Sequence, residues 1–416
     1  MKTSSFVSFG LLTALLPLHA SLAQTPVSSA TLSFSASSAP VGTWPKSTAV
    51  ADFDKDGQAD LAVGHRDTKD IRFLRGLGDG RFGAFGAQAP LAVGGNVYYL
   101  QAGDLDGDGW SDLVAADPAG KRVLVYGNQG AAFSGTPSAS LSVDLAGSAN
   151  ASIDNVVAIA LADLDKDGKR DIVATHREDD SVHVFFNRTA SAGSLSFAAA
   201  TPLVLPTYST PWAIVPADIN RDGSMDIALA LTNGATLNAL VNGSVRILFN
   251  CTSSSSRLCL SAGSTPMRFW PYDISTRDMN RDAAADLVVV NAESDSATVL
   301  RNTTPAGATQ ESFSVTHYTV GNMPKALTIA DLNGDCLPDV AVSNHFGGPV
   351  LSLLMNNPAA PGSFTQESIG TIPDLMRGIS LSTLDSNRDN ILDLVLAGAS
   401  SNNVVSLLNT TGRRCY

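Results

Sequence analysis

The chain has 416 residues, a formal net charge of −12, 44% hydrophobic and 6% aromatic residues. That is enough apolar material for a large core, and the predominance of Ala, Ser, Gly, Val and Leu suits many short strands joined by turns. The acid excess argues against nucleic acid as a partner, since a phosphate backbone calls for a cationic surface.

At the N-terminus a single Lys2 precedes the apolar run Phe6 to Leu18, and Ser21-Leu22-Ala23 places small residues before a cut after Ala23. The pattern reads as a secretory signal peptide over 1–23, leaving a mature domain 24–416. The run is too short for a membrane anchor and is interrupted by Pro17. No other segment reaches spanning length, so the expected location is secreted, periplasmic or cell-surface, with no membrane span. Four cysteines, Cys251, Cys259, Cys336 and Cys415, fit disulfides in an oxidising compartment. Local pairing of 251 with 259 would leave 336 with 415, but sequence alone leaves connectivity and free thiols open.

A β-favouring segment follows, LSFSASSAPVG from Leu32, and then seven units on one template. In chain order the template stretches are DFDKDGQAD from Asp52, DLDGDGWSD from Asp104, DLDKDGKRD from Asp163, DINRDGSMD from Asp218, DMNRDAAAD from Asp278, DLNGDCLPD from Asp331 and DSNRDNILD from Asp385. Their starts are 52 to 60 residues apart, a period that signals a repeat architecture. Each stretch has a short apolar run before it and two after it, such as DLVVVN and ATVLRN in the fifth unit. A weaker fourth run often opens with Phe. These runs are too short for helices. Four strands per unit, repeated radially, make a propeller blade. The expected fold is an all-β, seven-bladed β-propeller with four-stranded blades. The last unit stops after VVSLLNTTG and lacks a fourth strand, while the segment from Leu32 is one strand too many. The N-terminal strand is therefore expected to complete the last blade and close the ring.

The acidic stretches point to Ca²⁺. Positions 1, 3 and 5 present side-chain oxygens to one centre, position 7 can offer a carbonyl, and position 9 adds a carboxylate. The ligand candidates are Asp52, Asp54, Asp56 and Asp60; Asp104, Asp106, Asp108 and Asp112; Asp163, Asp165, Asp167 and Asp171; Asp218, Asn220, Asp222 and Asp226; Asp278, Asn280, Asp282 and Asp286; Asp331, Asn333, Asp335 and Asp339; and Asp385, Asn387, Asp389 and Asp393. Two carboxylates about 4 Å apart repel by roughly 4 kcal/mol at an effective dielectric near 20, and a divalent ion reverses that sign. Seven such ions would bring the charge of −12 close to neutral. Loops one to four keep Gly at position 6; Ala283, Cys336 and Asn390 replace it later, so loops one to four are expected to be the strongest of up to seven sites.

These seven motifs and their trailing apolar runs resemble the FG-GAP/VCBS repeat family, the propeller of integrin α-subunits and of many secreted bacterial proteins. The resemblance spans roughly residues 31–410. Endings such as LLNTT and LRNTT are similar to the bacterial branch, and FGAFGAQAP at 82–90 is the nearest approach to the literal signature. The resemblance implies a seven-bladed propeller with calcium in the hairpin between the first and second strands. Such a fold hosts many functions.

Strand direction places the calcium loops on one face. The opposite face receives Trp44, Tyr98, Trp212 and Trp270, six or eight residues before their loops, with Met323 and Met376 in the same zone. It also receives His65, Asp117, His176, Asn291 and Asn344, each thirteen residues past a motif start. Aromatic planes beside polar groups suit sugars or extended peptides, and the ligand candidates are Trp44, Tyr98, Trp212, Trp270, His65 and His176. Nucleophile-elbow, zincin, P-loop and CxxC signatures are absent, so no catalytic residue is assigned. The expected function is a binding or adhesion module for carbohydrate or an extracellular surface protein. The alternatives are a secreted polysaccharide lyase or hydrolase on the same scaffold, or a purely structural surface protein. Asn-X-Ser/Thr triplets at Asn187, Asn250, Asn302 and Asn409 end third strands and read mostly as turn formers.

Overall fold

The computed structural model describes residues 32–130, 132–144, 156–233, 242–250, 258–260 and 263–411. The expected signal segment 1–23 lies outside them, as do Cys251, Cys415 and the side chain of Cys259. Cys336 is disulfide-bonded.

The strands form seven antiparallel sheets, each with four strands in a row, and three sheets carry one extra short strand at the rim. The sheets are the blades of a propeller. The innermost strands are Pro45–Ala51, Leu100–Gly103, Val156–Ala162, Pro211–Ala217, Pro271–Arg277, Pro324–Ala330 and Gly378–Leu384. Each touches its neighbours on both sides, and Pro45–Ala51 meets Gly378–Leu384 to complete the circle. Among the described residues no helix is long and apolar enough to cross a membrane.

The second strands explain why the apolar runs show no alternation. From Asp60–His65 in blade one to Asp393–Gly398 in blade seven, all six residues are buried in every blade. Each has a strand on either side and a blade over either face, so both faces are apolar. Seven apolar clusters fill the interfaces between consecutive blades. Phe53, Ile71 and Phe73 of blade one pack on Leu113, Leu124 and Tyr126 of blade two. At the closing interface Leu61, Val63 and Leu74 meet Leu384, Val395 and Val404, with Ala39 contributed by the N-terminal strand. Truncating one such Leu to Ala costs about 2–5 kcal/mol.

Ring closure follows the expected route. The strand Phe34–Pro40 pairs with Asn403–Asn409, the third strand of blade seven. Its register copies the other blades. An outer-strand Phe sits opposite the last residue of the third strand in Phe82↔Gly76, Phe197↔Asn187, Phe313↔Asn302 and Phe364↔Asn356. Phe34↔Asn409 repeats that pairing.

A variant beginning at Gly42 would leave the edge of Asn403–Asn409 unpaired, a template for association. It is expected to melt lower and to self-associate on size-exclusion chromatography, with a synthetic peptide of residues 32–41 restoring both properties. A monomer with an unchanged melting point would show that the seam holds without this strand.

Candidate metal loops and the opposite face

The seven acidic loops share one backbone conformation. Positions 4 and 6 are left-handed in each, as at Lys55 (φ 55°) and Gly57 (φ 80°) in the first. The substituted loops keep it: Ala283, Cys336 and Asn390 lie at φ 63°, 69° and 62°. The reason is a conserved hydrogen bond within the repeats. The amide of position 6 donates to the position-1 carboxylate in all seven, from Gly57 to Asp52 (2.8 Å) through Cys336 to Asp331 (2.8 Å) and Asn390 to Asp385 (2.9 Å). The position-7 amide donates to the position-5 carboxylate in each, as from Gln58 to Asp56 at 2.7 Å.

Carboxylates converge in loops one to three. Asp52, Asp54 and Asp60, then Asp104, Asp106 and Asp108, then Asp163, Asp165 and Asp171 each bring three oxygens within 4.8 Å of one another. This all-oxygen donor set fits a hard divalent cation. In loops one and three an arginine lies against the same acids: Arg75 reaches Asp54 (2.7 Å) and Asp56 (2.8 Å), and Arg188 reaches Asp165 (2.6 Å). Loops four to seven relieve the repulsion internally. Their position-3 Asn donates to the position-5 Asp: Asn220 to Asp222, Asn280 to Asp282, Asn333 to Asp335 and Asn387 to Asp389, at 2.9–3.1 Å. Loop four, expected among the strongest sites, shares this Asn with loops five to seven while keeping Gly223 at position 6. Position-4 cations link neighbouring loops: Arg281 donates to the Cys336 carbonyl (2.9 Å), and Arg388 to the carbonyls of Asp56 and Gly57 (2.7 and 2.8 Å).

Position 9 does more than complete a donor set. These seven aspartates are fully buried. One oxygen accepts the position-2 amide, as from Leu105 to Asp112 (2.8 Å), and the other accepts an amide at the end of the third strand, as from Asn128 to Asp112 (2.9 Å). The same pair of bonds recurs in the other six. The third-strand Asn then reaches across to the preceding blade, donating to its position-2 carbonyl: Asn128 to Phe53 (2.9 Å), Asn187 to Leu105 (2.6 Å), Asn250 to Leu164 (2.7 Å), Asn302 to Ile219 (2.8 Å), Asn356 to Met279 (2.8 Å) and Asn409 to Leu332 (2.9 Å). Blade one has Gly76 there, and the Gly80 amide meets the Ser386 carbonyl of blade seven instead (3.3 Å). These asparagines are blade-to-blade clamps. They also form the turns expected of them: Asn187, Asn302 and Asn409 accept the amides of Thr189, Thr304 and Thr411 at 2.9–3.1 Å, so one side chain closes a turn with its oxygen and clamps a blade with its nitrogen.

Burial pushes the position-9 carboxyls up, to about 6 in Asp60, Asp171, Asp226 and Asp286 and to about 7 in Asp112 and Asp339, although backbone amides oppose the shift.

On the opposite face the structure sorts the ligand candidates. His65 and His176 are fully buried, as are Asp117, Asn291 and Asn344. His65 accepts the Gly42 amide (2.9 Å), and the His176 Nδ1 accepts the Asp179 amide (3.1 Å). Both histidines end buried strands and hold turns, so neither presents its ring on the open surface of this face. Trp44 carries the Arg66 guanidinium 3.7 Å above its ring. Tyr98 and Trp212 line a cavity of about 220 Å³ on the ring axis, and Trp270 stands edge-on to Trp212 at 5.9 Å.

Lys46, Tyr272 and Lys325 join them in the cavity and were not foreseen. A repeated x-Pro-x triplet places them: Trp44-Pro45-Lys46, Thr210-Pro211-Trp212, Trp270-Pro271-Tyr272 and Met323-Pro324-Lys325. The residue before each Pro is left-handed, at φ 56°, 43°, 58° and 55°. Its carbonyl accepts an amide beyond the second strand, such as that of Ala292 for Trp270 (2.8 Å). The residue after the Pro falls at a register shift in the ladder. A bulge at that point turns the side chain toward the axis.

A model of the FG-GAP-like repeat matches residues 52–115, 104–174, 163–229 and 331–396, together more than half of the chain. The chain belongs to the FG-GAP-like repeat family. Each matched span begins at the first Asp of a loop and ends in the next blade's second strand. The FG-GAP-like unit is thus out of step with the blade by one strand, opening at the loop that follows an innermost strand. The fifth loop lies outside the matched spans yet has the same hydrogen bonds. No curated protein matches the chain.

Two predictions separate the roles of the acids. Asp60→Asn leaves a buried amide facing an NH₂ and is expected to cost about 1–3 kcal/mol with or without calcium. Asp54→Asn reproduces the residue natural to loops four to seven, so it should lower the melting point of the calcium-loaded protein and change the chelated form by less than about 1 kcal/mol. Thermal melts in calcium and in chelator check both. The chelated protein should also stabilise on acidification. With folded pKa values near 6–7 against about 3.9 unfolded, the favourable contribution is complete below the unfolded value and is lost as pH rises through 6–7. Melts from pH 8 to pH 5 in chelator should rise, and a fall would contradict the burial assigned to position 9.

Proposed function

We propose that this chain is a secreted, calcium-loaded propeller that works as a binding module for carbohydrate or an extracellular surface protein. The carrying observation is the convergence of Tyr98, Trp212 and Tyr272 on the axial cavity, on the face away from the acidic loops. Trp212 and Tyr272 lie 5.0 Å apart and tilted, offering aromatic planes with a hydroxyl at hand. Such surfaces suit the apolar face of a sugar ring or a flat side chain. Calcium in the loops would set the angle between first and second strands and so hold the rim of the cavity.

One observation favours an enzymatic second reading, a polysaccharide lyase or hydrolase. Burial works to raise the Tyr272 phenol, but Lys46 and Lys325 more than offset it and hold it below its ordinary value, as a base would require.

A glycan array and a surface-protein screen, each run with calcium and with chelator, test the binding reading. Trp212→Ala should lose at least tenfold in affinity for whatever is captured while keeping the wild-type melting point. Capture unaffected by Trp212→Ala would move the site off the axis, and release of unsaturated or reducing sugar ends would favour the enzyme.

A further inference from the structure

The charge of the axial cavity narrows the ligand. Lys325 is only 8% exposed, yet its ammonium makes no hydrogen bond or ion pair to any described residue; it lies over Tyr272 at 3.8 Å and Trp270 at 5.5 Å. Lys46 donates to the Tyr272 hydroxyl (3.1 Å) and lies 4.9 Å over Tyr98. Glu293 acts on this ammonium only through space and not through a direct ion pair; a buried cation without an acid in contact is costly, and cation–π contact offsets only part of that cost. The one carboxyl in the lining, Asp273, is spent elsewhere: it accepts the amides of Ile274 and Leu327 (both 2.9 Å) and faces the Tyr99 hydroxyl (3.4 Å). Five bulged residues, from blades one, four, five, six and seven, line this one cavity, two of them lysines.

The geometry points to a carboxylate-bearing sugar, a uronic acid unit of an acidic saccharide, with its carboxylate between Lys46 and Lys325 and its ring against Trp212 and Tyr98. This deepens the binding reading and rests on it. The cavity volume, about 220 Å³, is below that of a drug-sized site and suits one ring rather than an extended chain. Its wall adds hydroxyls: Thr48 Oγ1 is 2.8 Å from both Ser380 Oγ and Ser382 Oγ. A hydroxyl-rich ring uses both features, whereas an acidic peptide side chain would leave the aromatic planes unused.

Calorimetry on the full calcium-loaded chain tests this, with trimers of galacturonate, glucuronate and mannuronate set against their carboxyl-reduced neutral counterparts. At least one uronate trimer should bind tenfold or more tightly than its neutral form, with the gap shrinking as salt rises. Lys325→Met and Lys46→Met should each close the gap while leaving neutral-trimer affinity within about twofold. Trp212→Ala should weaken both forms. If Lys325→Met does not fold, Lys46→Met and the salt dependence decide the matter. Equal affinity for acidic and neutral trimers, a gap that survives the lysine substitutions, or capture of acidic peptides in place of uronates overturns the inference and leaves a binding module in place. Failure to bind any glycan or surface protein removes the binding reading as well.

Discussion

A buried carboxylate that joins three pieces of backbone governs this molecule. In each blade the position-9 Asp accepts an amide from the loop and an amide from the third strand, as Asp112 does from Leu105 and Asn128. The Asn that supplies the second amide clamps the previous blade through its side chain. The carboxylate therefore sets the angle within a blade and indirectly the spacing between blades. Desolvating it is unfavourable, and two amides return only part of the lost hydration. A cation in the same loop would favour the charged form, so any ion bound there would draw on the group that sets ring geometry.

The loops divide their work along the chain. Loops one to three concentrate acids and keep glycine at the left-handed position 6, which gives them dense oxygen donor sets and makes them easy to form. Loops five to seven place Ala283, Cys336 and Asn390 there, at a cost of roughly 1–2 kcal/mol for the two residues that dislike the conformation. They keep the shape because the position-6 amide must still reach the position-1 carboxylate. Their Asn at position 3 removes one negative charge and adds a donor, so less repulsion remains for an ion to relieve.

Most of the architecture was legible because its signals are periodic. Seven D-x-[DN]-x-D motifs at near-equal spacing, with apolar runs too short for helices, allow few folds, and the surplus strand at Phe34–Pro40 answered the deficit in blade seven. The opposite face was legible only in part. Trp212 and Tyr98 were found as aromatics before loops, but their meeting point depends on bulges that no hydrophobic pattern encodes. Lys46 and Lys325 were not singled out in the sequence; the x-Pro-x triplet is the signal that could have marked them. The burial of His65 and His176 was not legible, because a polar residue at a strand end reads the same whether it faces solvent or lies under a neighbouring turn. The asparagines that end third strands were legible as turn formers, which they are, but their second role as clamps depends on a neighbouring blade that local sequence does not encode.

The two faces of the ring carry opposite chemistry for one reason. Inner strands run from the axial cavity toward the acidic loops, so each x-Pro-x triplet and its acidic motif are the two ends of one strand. Lys46 stands at one end of Pro45–Ala51 and Asp52 follows the other. Left-handed backbone before a proline is strained, of order 1–3 kcal/mol per site, and four blades accept it here. Acid crowding is likewise unfavourable at the far end. A linear array of blades would gain nothing from either, because Lys46 and Lys325 come from blades one and six and face one cavity only after blade seven closes between them. The N-terminal strand that completes blade seven is thus as much a part of the axial site as the residues that line it.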